Sequence, residues 1–214
     1  MNHRSIIKHK FKVNETPFFL TVSECKKAVS FIKRSPKLER SQILSKESKN
    51  IISKKRTSNT VFCNKGDNAL IDIIDESMTS YMFRELNVMN PTSFAQLTEY
   101  KQGQYFKAHT DSMEYEQLLS SGMRQRIWTC LIYLNEPLEG GETYFPNADI
   151  TIEPEIGKIV AWRNTIPGTR LPLEQSEHLS EPVTKGEKYV VVKLFYESLR
   201  DIVDDNMSRR NLNQ

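Results

Sequence analysis

Three observations predict an α+β fold in which N-terminal helices support a β-sandwich. Apolar residues recur at helical spacing only within the first 86 positions. From about residue 94 the chain breaks into short strand-like runs separated by Gly, Pro and Asn. The last of these runs, "KYVVVKLFYES", is apolar on both faces, as in a sheet covered on two sides.

The elements follow in order. A basic arm, residues 1 to about 15, precedes "TVSECKKAVSFIKRS", where Thr21 and Glu24 have capping-box spacing. Val22, Cys25, Val29 and Ile32 then form a helical stripe that stops before Pro36. Residues 36–66 mix polar residues with short apolar pairs and read as an extended or partly mobile segment. A second helix is expected over Asn68–Leu86, with Leu70, Ile74, Met78, Tyr81 and Met82 on one side and Asp67 near its positive start. The strand-like runs are "FAQLTEY", "RIWTCLIYL", "ETYF", "KIVAW" and "KYVVVKLFYES". In the last, Val190, Val192, Leu194 and Tyr196 face one way and Tyr189, Val191, Lys193 and Phe195 the other. A polar tail occupies 200–214.

With 214 residues, 38% apolar and 27% charged, the chain reads as one domain, 1–214, with a sizeable core. Thirty Lys and Arg against 27 Asp and Glu leave a net charge of +3, without the basic stripe of a dedicated nucleic-acid binder. The N-terminus lacks the apolar run of a secretory signal and no segment has the apolar length of a membrane span, so the expectation is a soluble, intracellular protein. Cys25, Cys63 and Cys130, odd in number and widely spaced, are expected to be reduced packing residues.

The stretch "YKQGQYFKAHTDSM" contains His109 and Asp111, which on a regular strand would leave from the same face and reach one ion. The remaining histidines are His3 and His9 in the arm and His178 ahead of the final strand, so His178 is the natural third ligand. Two imidazoles and a carboxylate on one face of an octahedron leave three positions open, the arrangement of non-haem Fe(II) oxygenases. An H-x-D pair alone arises often by chance, and its neighbours decide its meaning. Ten positions after His178, Lys188 starts the apolar strand, where a buried ammonium needs an anionic partner. The alternative is a strand-end lysine that snorkels to water. Gly140-Gly141 permits a tight turn before Glu142, Thr143 and Tyr144.

Taken in order, "Y-x-x-G-Q-x-x-x-x-H-x-D" (Tyr100 to Asp111), "R-x-x-T-x-x-x-Y-L-N" (Arg126 to Asn135), "G-G-E-T-x-F-P" (Gly140 to Pro146), "P-x-x-G" (Pro154 to Gly157) and "H-x-x-x-P-V-x-x-G-x-K" (His178 to Lys188) resemble the prolyl 4-hydroxylase-type Fe(II)- and 2-oxoglutarate-dependent dioxygenases. "RTSNTVF", from Arg56, is similar to that family's Arg-Thr-Ser segment, and the likeness runs from about residue 16 to 198. It implies a double-stranded β-helix (jelly-roll) core over about 94–198 with iron on His109, Asp111 and His178. It further implies that Lys188, Thr143 and Tyr100 hold 2-oxoglutarate, that Arg126 borders the peptide groove, and that ascorbate serves as reductant. The implied reaction couples decarboxylation of 2-oxoglutarate by O2, releasing succinate and CO2, to hydroxylation of a prolyl residue in a peptide or protein. Ala108, Trp128 and "RNTIPGTRLPLEQSEH" depart from the family's usual residues, and the last two are placed to reshape the substrate groove.

Residues 36–66 and 112–125 fall where substrate-covering loops lie in such enzymes. Two other readings remain open: hydroxylation of lysyl residues, free amino acids or another small molecule with the same cofactors, and a metal-free β-sandwich binding module. Nucleic-acid demethylation is disfavoured, because the next arginine after His178 is Arg200.

Overall fold

The computed structural model describes residues 11–45 and 49–198. Most of the expected N-terminal arm and the whole polar tail lie outside the described residues. Strand β1 (Val13–Thr16) leads into helix α1 (Val22–Arg34). The Thr21 hydroxyl accepts the Glu24 amide at 3.2 Å while the Glu24 carboxylate accepts the Thr21 amide at 2.8 Å, so two otherwise orphaned donors are satisfied reciprocally. The buried face is Cys25, Ala28 and Ile32. Val22, expected in that stripe, sits in the first turn and is exposed, and Ala28 completes the face instead.

The described part of the segment 36–66 is extended, as its sequence suggests, and is regularly paired. It forms β2 (Glu39–Arg40), β3 (Gln42–Leu44), β4 (Asn50–Ile52) and β5 (Asn59–Asn64), and β5 pairs along its whole length with β6 (Phe94–Tyr100). Some of its polar residues are buried: Ser58 and Thr60 are satisfied by the Arg56 guanidinium at 3.0 and 3.3 Å. Helix α2 (Ala69–Leu86) starts where the Asn68 carboxamide oxygen accepts the Leu70 and Ile71 amides and ends at Asn87 in the left-handed region. Its buried residues are Ile71, Ile74, Met78, Tyr81 and Met82, with Leu70 only partly covered.

The remaining elements are β7 (Phe106–His109), α3 (Tyr115–Ser121), β8 (Arg126–Tyr133), β9 (Glu139–Gly140), β10 (Thr143–Phe145), β11 (Ile150–Ile152), β12 (Ile159–Arg163), β13 (His178–Ser180), β14 (Val183–Lys185) and β15 (Lys188–Tyr196). Among the described residues the large sheet runs β1-β12-β8-β15-β6-β5-β2 and the small one β11-β10-β13-β7, all pairs antiparallel. The large sheet thus recruits strands from well before residue 94. The expected loop 112–125 carries α3.

Each face of the large sheet has its own core. Tyr189, Val191 and Phe195 pack with α1 and α2 residues such as Ile32 and Met78. Val190 packs with Phe145 and Ile152 of the small sheet, alongside Tyr133 and Trp162. The alternation read from the sequence therefore holds for β15. The odd member of the helix-facing row, Lys193, is 1% exposed and reaches Asp75 of α2 at 2.5 Å and the Thr92 carbonyl at 3.0 Å. At Gly157, φ is +79° and a Cβ would lie 2.2 Å from the Leu20 carbonyl oxygen, so only glycine lets that turn close against the chain entering α1. No helix among the described residues is long and apolar enough to cross a membrane.

Candidate metal centre and cofactor cavity

His109 closes β7 and His178 opens β13, and the two are paired neighbours in the small sheet. Asp111 is not on the strand: β7 ends at His109 and a bend turns the carboxylate back. Strand alternation thus does not align His109 with Asp111, as the two-residue spacing suggested; the bend does. One donor atom from each of His109, Asp111 and His178 lies within 4.8 Å of the other two.

Hydrogen bonding fixes how these donors point. His109 Nδ1 donates to the Lys107 carbonyl at 2.8 Å and His178 Nδ1 to the Ser176 carbonyl at 2.9 Å. A carbonyl can only accept, so each Nδ1 carries the proton and each Nε2 presents a lone pair to the centre. Those Nε2 atoms lie 3.7 Å from Asp111 Oδ1 and Oδ2 respectively. Burial, then the neighbouring His178, pushes the His109 pKa down to about 3 and keeps the ring neutral, the form that ligates metal. Burial alone would raise the Asp111 pKa, but positive charge on His178 or His109, when either ring is protonated, and a hydrogen bond from Thr129 outweigh it and lower the pKa. Phe106 stacks on His109 at 3.6 Å between centroids, and Trp162 meets His178 edge-on at 4.8 Å.

Lys188 is 2% exposed and lies opposite Tyr100 in the β15–β6 register. Its Nζ donates to the Gly141 carbonyl at 2.6 Å and to the Ser180 hydroxyl, and sits 4.6 Å from the centre of the Tyr100 ring. None of these partners carries a formal negative charge, and burial lowers the Lys188 pKa to about 7. The close approach on this side depends on Gly140, where φ is +76° and a Cβ would meet the Pro182 carbonyl oxygen at 2.3 Å. Thr143, opposite Ser180 in the β10–β13 register, exchanges a 2.7 Å hydrogen bond with Tyr133. Burial pushes the Tyr100 phenol above its ordinary pKa. Arg126 opens β8 opposite Tyr196.

All seven residues singled out in the sequence, His109, Asp111, His178, Lys188, Thr143, Tyr100 and Arg126, line one cavity of about 590 Å³ between the two sheets. The donor set fits a divalent iron, and the buried Lys188 amine shares its cavity.

The sequence reading missed the residues that hold this set in place. Thr129 donates to Asp111 Oδ2 at 2.6 Å and accepts from the Asn164 carboxamide at 2.8 Å, a chain that fixes the carboxylate's rotation. Its signal was present in "R-x-x-T", because strand alternation places Thr129 on the same face as Leu131 and Tyr133. Arg56 stands 4.9 Å over the Phe106 ring that stacks on His109.

Residues 95–196 match the family model of the 2OG-Fe(II) oxygenase superfamily. A putative prolyl 4-hydroxylase of Acanthamoeba polyphaga mimivirus is 30% identical over 181 residues, covering 82% of this chain and 70% of that relative. A probable prolyl 4-hydroxylase of Arabidopsis thaliana is 29% identical over 197 residues, covering 82% of this chain and 64% of its own length. Among solved structures, a viral collagen prolyl hydroxylase from Paramecium bursaria Chlorella virus-1, in complex with 2OG, superposes with a TM-score of 0.71 at 24% identity, over 87% of this chain and 96% of that one. A Trichoplax adhaerens prolyl hydroxylase bound to a hypoxia inducible factor peptide fragment superposes with a TM-score of 0.65 at 16% identity, over 89% and 86%. At these identities the structural likeness carries the fold, a double-stranded β-helix with helices on one face.

Proposed function

Because the chain belongs to the prolyl 4-hydroxylase-type 2OG-Fe(II) oxygenases, dioxygenases that use Fe(II), 2-oxoglutarate and O2, we propose that it hydroxylates a prolyl residue within an extended peptide or protein segment. The observation that carries this reading is the convergence of His109, Asp111 and His178 with a buried Lys188 that makes no direct ion pair among the described residues, the Glu142 carboxylate acting on it only from farther off. Iron bound with 2-oxoglutarate and dioxygen supplies oxidation of an unactivated C–H bond, with succinate and CO2 released.

The chain's own residues bind and orient. His109 and His178 offer Nε2 lone pairs, and Asp111 offers a carboxylate oxygen whose rotation Thr129 sets. Lys188 anchors the distal carboxylate of 2-oxoglutarate, with the Thr143 hydroxyl and the Tyr100 ring bounding the same space. Leu131, Val190 and Val192 form an apolar wall that limits water around the reacting atoms. Arg126, at the cavity wall near Tyr196, contacts the peptide. Ascorbate serves as the reductant that returns iron to the ferrous state. The cavity of about 590 Å³ opens to the surface, which leaves room for a polymer segment to enter beside the His109, Asp111 and His178 side chains.

The test is incubation with Fe(II), 2-oxoglutarate and a panel of proline-containing peptides, lysine-containing peptides and free amino acids. Succinate release and mass spectrometry are the readouts. Addition of one oxygen atom to a prolyl residue is expected; stimulation by lysyl peptides or free amino acids but not by prolyl peptides overturns the substrate assignment. His178→Ala should abolish tight Mn(II) or Fe(II) binding, and retained binding removes it from the site.

A further inference from the structure

We propose that the open edge of β5, with the cleft beside it, is a second docking site that takes an extended acidic–apolar segment of the peptide substrate, remote from the prolyl residue; this rests on the peptide-hydroxylase reading above. Strand β2 covers only Asn59 and Thr60 of β5, and among the described residues no strand pairs with Val61–Asn64 on that side. The Ser41 amide takes the Ser58 carbonyl at 3.0 Å, so the even-numbered residues of β5 direct their peptide groups toward this edge. At Asn64 those groups are closed by Asp67, whose carboxylate accepts the Asn64 amide at 2.9 Å and whose amide donates to the Asn64 carbonyl at 3.0 Å. That leaves the amide and carbonyl of Phe62 as the open pair, an arrangement that an added strand satisfies.

A cleft of about 370 Å³ lies directly against that edge. Its floor is apolar, from Phe31, Val61, Cys63 and Leu70, and its rim carries Lys27, Arg34 and Lys37 against one carboxylate, Asp67, which pairs with Lys37 at 3.4 Å. Lys27, though near Glu24, and Arg34 make no direct ion pair among the described residues, so these two rim cations can meet a ligand, while Asp72 and Asp75 lie near Cys63 but do not line the cleft. The complementary occupant is an extended segment that alternates carboxylates with apolar side chains, so that one row meets the rim and the other the floor.

Phe62 connects this cleft with the cofactor cavity. It is 51% exposed, lines both spaces, and meets Phe94 edge-on at 5.1 Å. β6 runs from Phe94 at the cleft end to Tyr100 at the Lys188 end, roughly 20 Å at the rise of a strand. A substrate would span that distance with about six to eight extended residues. The acidic–apolar block should therefore lie that far from the hydroxylated proline.

The test uses the full chain loaded with Mn(II) and 2-oxoglutarate for binding, and with Fe(II) for turnover. The probes are fluorescein-labelled peptides with a proline core alone, or the core joined by a Gly/Ser spacer to an Asp-Ile-Asp-Val-Asp block or a Lys-Ile-Lys-Val-Lys block. The acidic block should tighten binding by anisotropy about tenfold, an advantage that shrinks with salt, while the basic block gives no gain. In the Lys27→Glu/Arg34→Glu double variant, both exposed positions outside the cofactor cavity, the gain should disappear while turnover of the core peptide is unchanged. Methylating alternate backbone amides of the block keeps its charge but weakens strand addition, and should also erase the gain. Equal affinity for core and extended peptides, a gain that survives charge reversal, or crosslinking of the block away from β5 overturns the proposal. Binding and oxidation are read separately. A block that docks at the cleft while no proline is oxidised contradicts the hydroxylase reading alone, and oxidised core peptide with no block effect contradicts the cleft alone.

Discussion

Raising pH in the absence of 2-oxoglutarate should discharge Lys188, and binding of the diacid should recharge it. Burial takes the Lys188 pKa from 10.5 to about 7, and that difference corresponds to roughly 5 kcal/mol against the charged form, an order-of-magnitude figure for a side chain that is 2% exposed. A carboxylate bound at Nζ favours the charged form and raises the pKa again. Between about pH 7 and the pKa of the complex, each 2-oxoglutarate should therefore take up nearly one proton and its apparent Kd should rise up to about tenfold per pH unit; below about pH 7 both effects vanish. Calorimetry on the Mn(II)-loaded protein in buffers of different ionisation enthalpy measures the proton count directly. The stability of the unliganded protein has a determined sign as well. The unfolded chain holds this proton between about pH 7 and 10.5 and the folded chain does not, so the Lys188 contribution to stability should rise with pH across that window. Lys188→Met should accordingly be more stable than the parent at pH 6.5, lose that advantage toward pH 10, and bind 2-oxoglutarate about 10- to 100-fold more weakly. Proton uptake that does not change with pH, or that persists in Lys188→Met, refutes the reasoning.

Thr129→Val removes the donor to Asp111 Oδ2 while keeping the shape, and should weaken metal binding about 10- to 100-fold with the fold intact by circular dichroism; unchanged Mn(II) affinity would show that the hydroxyl does not set the carboxylate. Lys193→Met strands Asp75 and should cost about 3–5 kcal/mol in urea unfolding, much of it recovered in Lys193→Met/Asp75→Leu; equal loss in both variants would count against a charge origin. Gly140→Ala must move the Pro182 carbonyl away, and should lower stability by about 1–3 kcal/mol and weaken 2-oxoglutarate binding through the displaced Gly141 carbonyl; an unperturbed variant would mean the turn relaxes freely.

The two helices were legible because local chemistry specifies them. Thr21 with Glu24, and Asn68 with the Leu70 and Ile71 amides, close their starts within a few residues, and their apolar stripes need no distant partner to be seen. Strand β5 was not legible, because its Thr60 and the Ser58 just before it are buried hydroxyls, and their burial makes sense only once Arg56 is placed among them. Asp111 was found by its motif and not by its geometry: the spacing suggested a strand, whereas a bend delivers the carboxylate. Thr129 and Asn164 escaped notice because a threonine in a buried strand and an asparagine after one look like packing until the folded chain brings Asp111 to them.

Two lysines on one strand separate structural from functional burial. Lys188 and Lys193 are both at most 2% exposed, and their odd spacing sends them to opposite faces of β15. On the helix side, Lys193 meets the Asp75 carboxylate and the Thr92 carbonyl, so its charge is answered within the chain and a ligand there would have to displace a short ion pair. On the cavity side, Lys188 meets a carbonyl, a hydroxyl and an aromatic face, which orient an ammonium without neutralising it. Nothing in packing demands a cation at that place, since a methionine would fill the same volume without the desolvation cost. What the arrangement does supply is a water-poor amine beside a two-histidine, one-carboxylate set, whose charged form is favoured only when an anion reaches it.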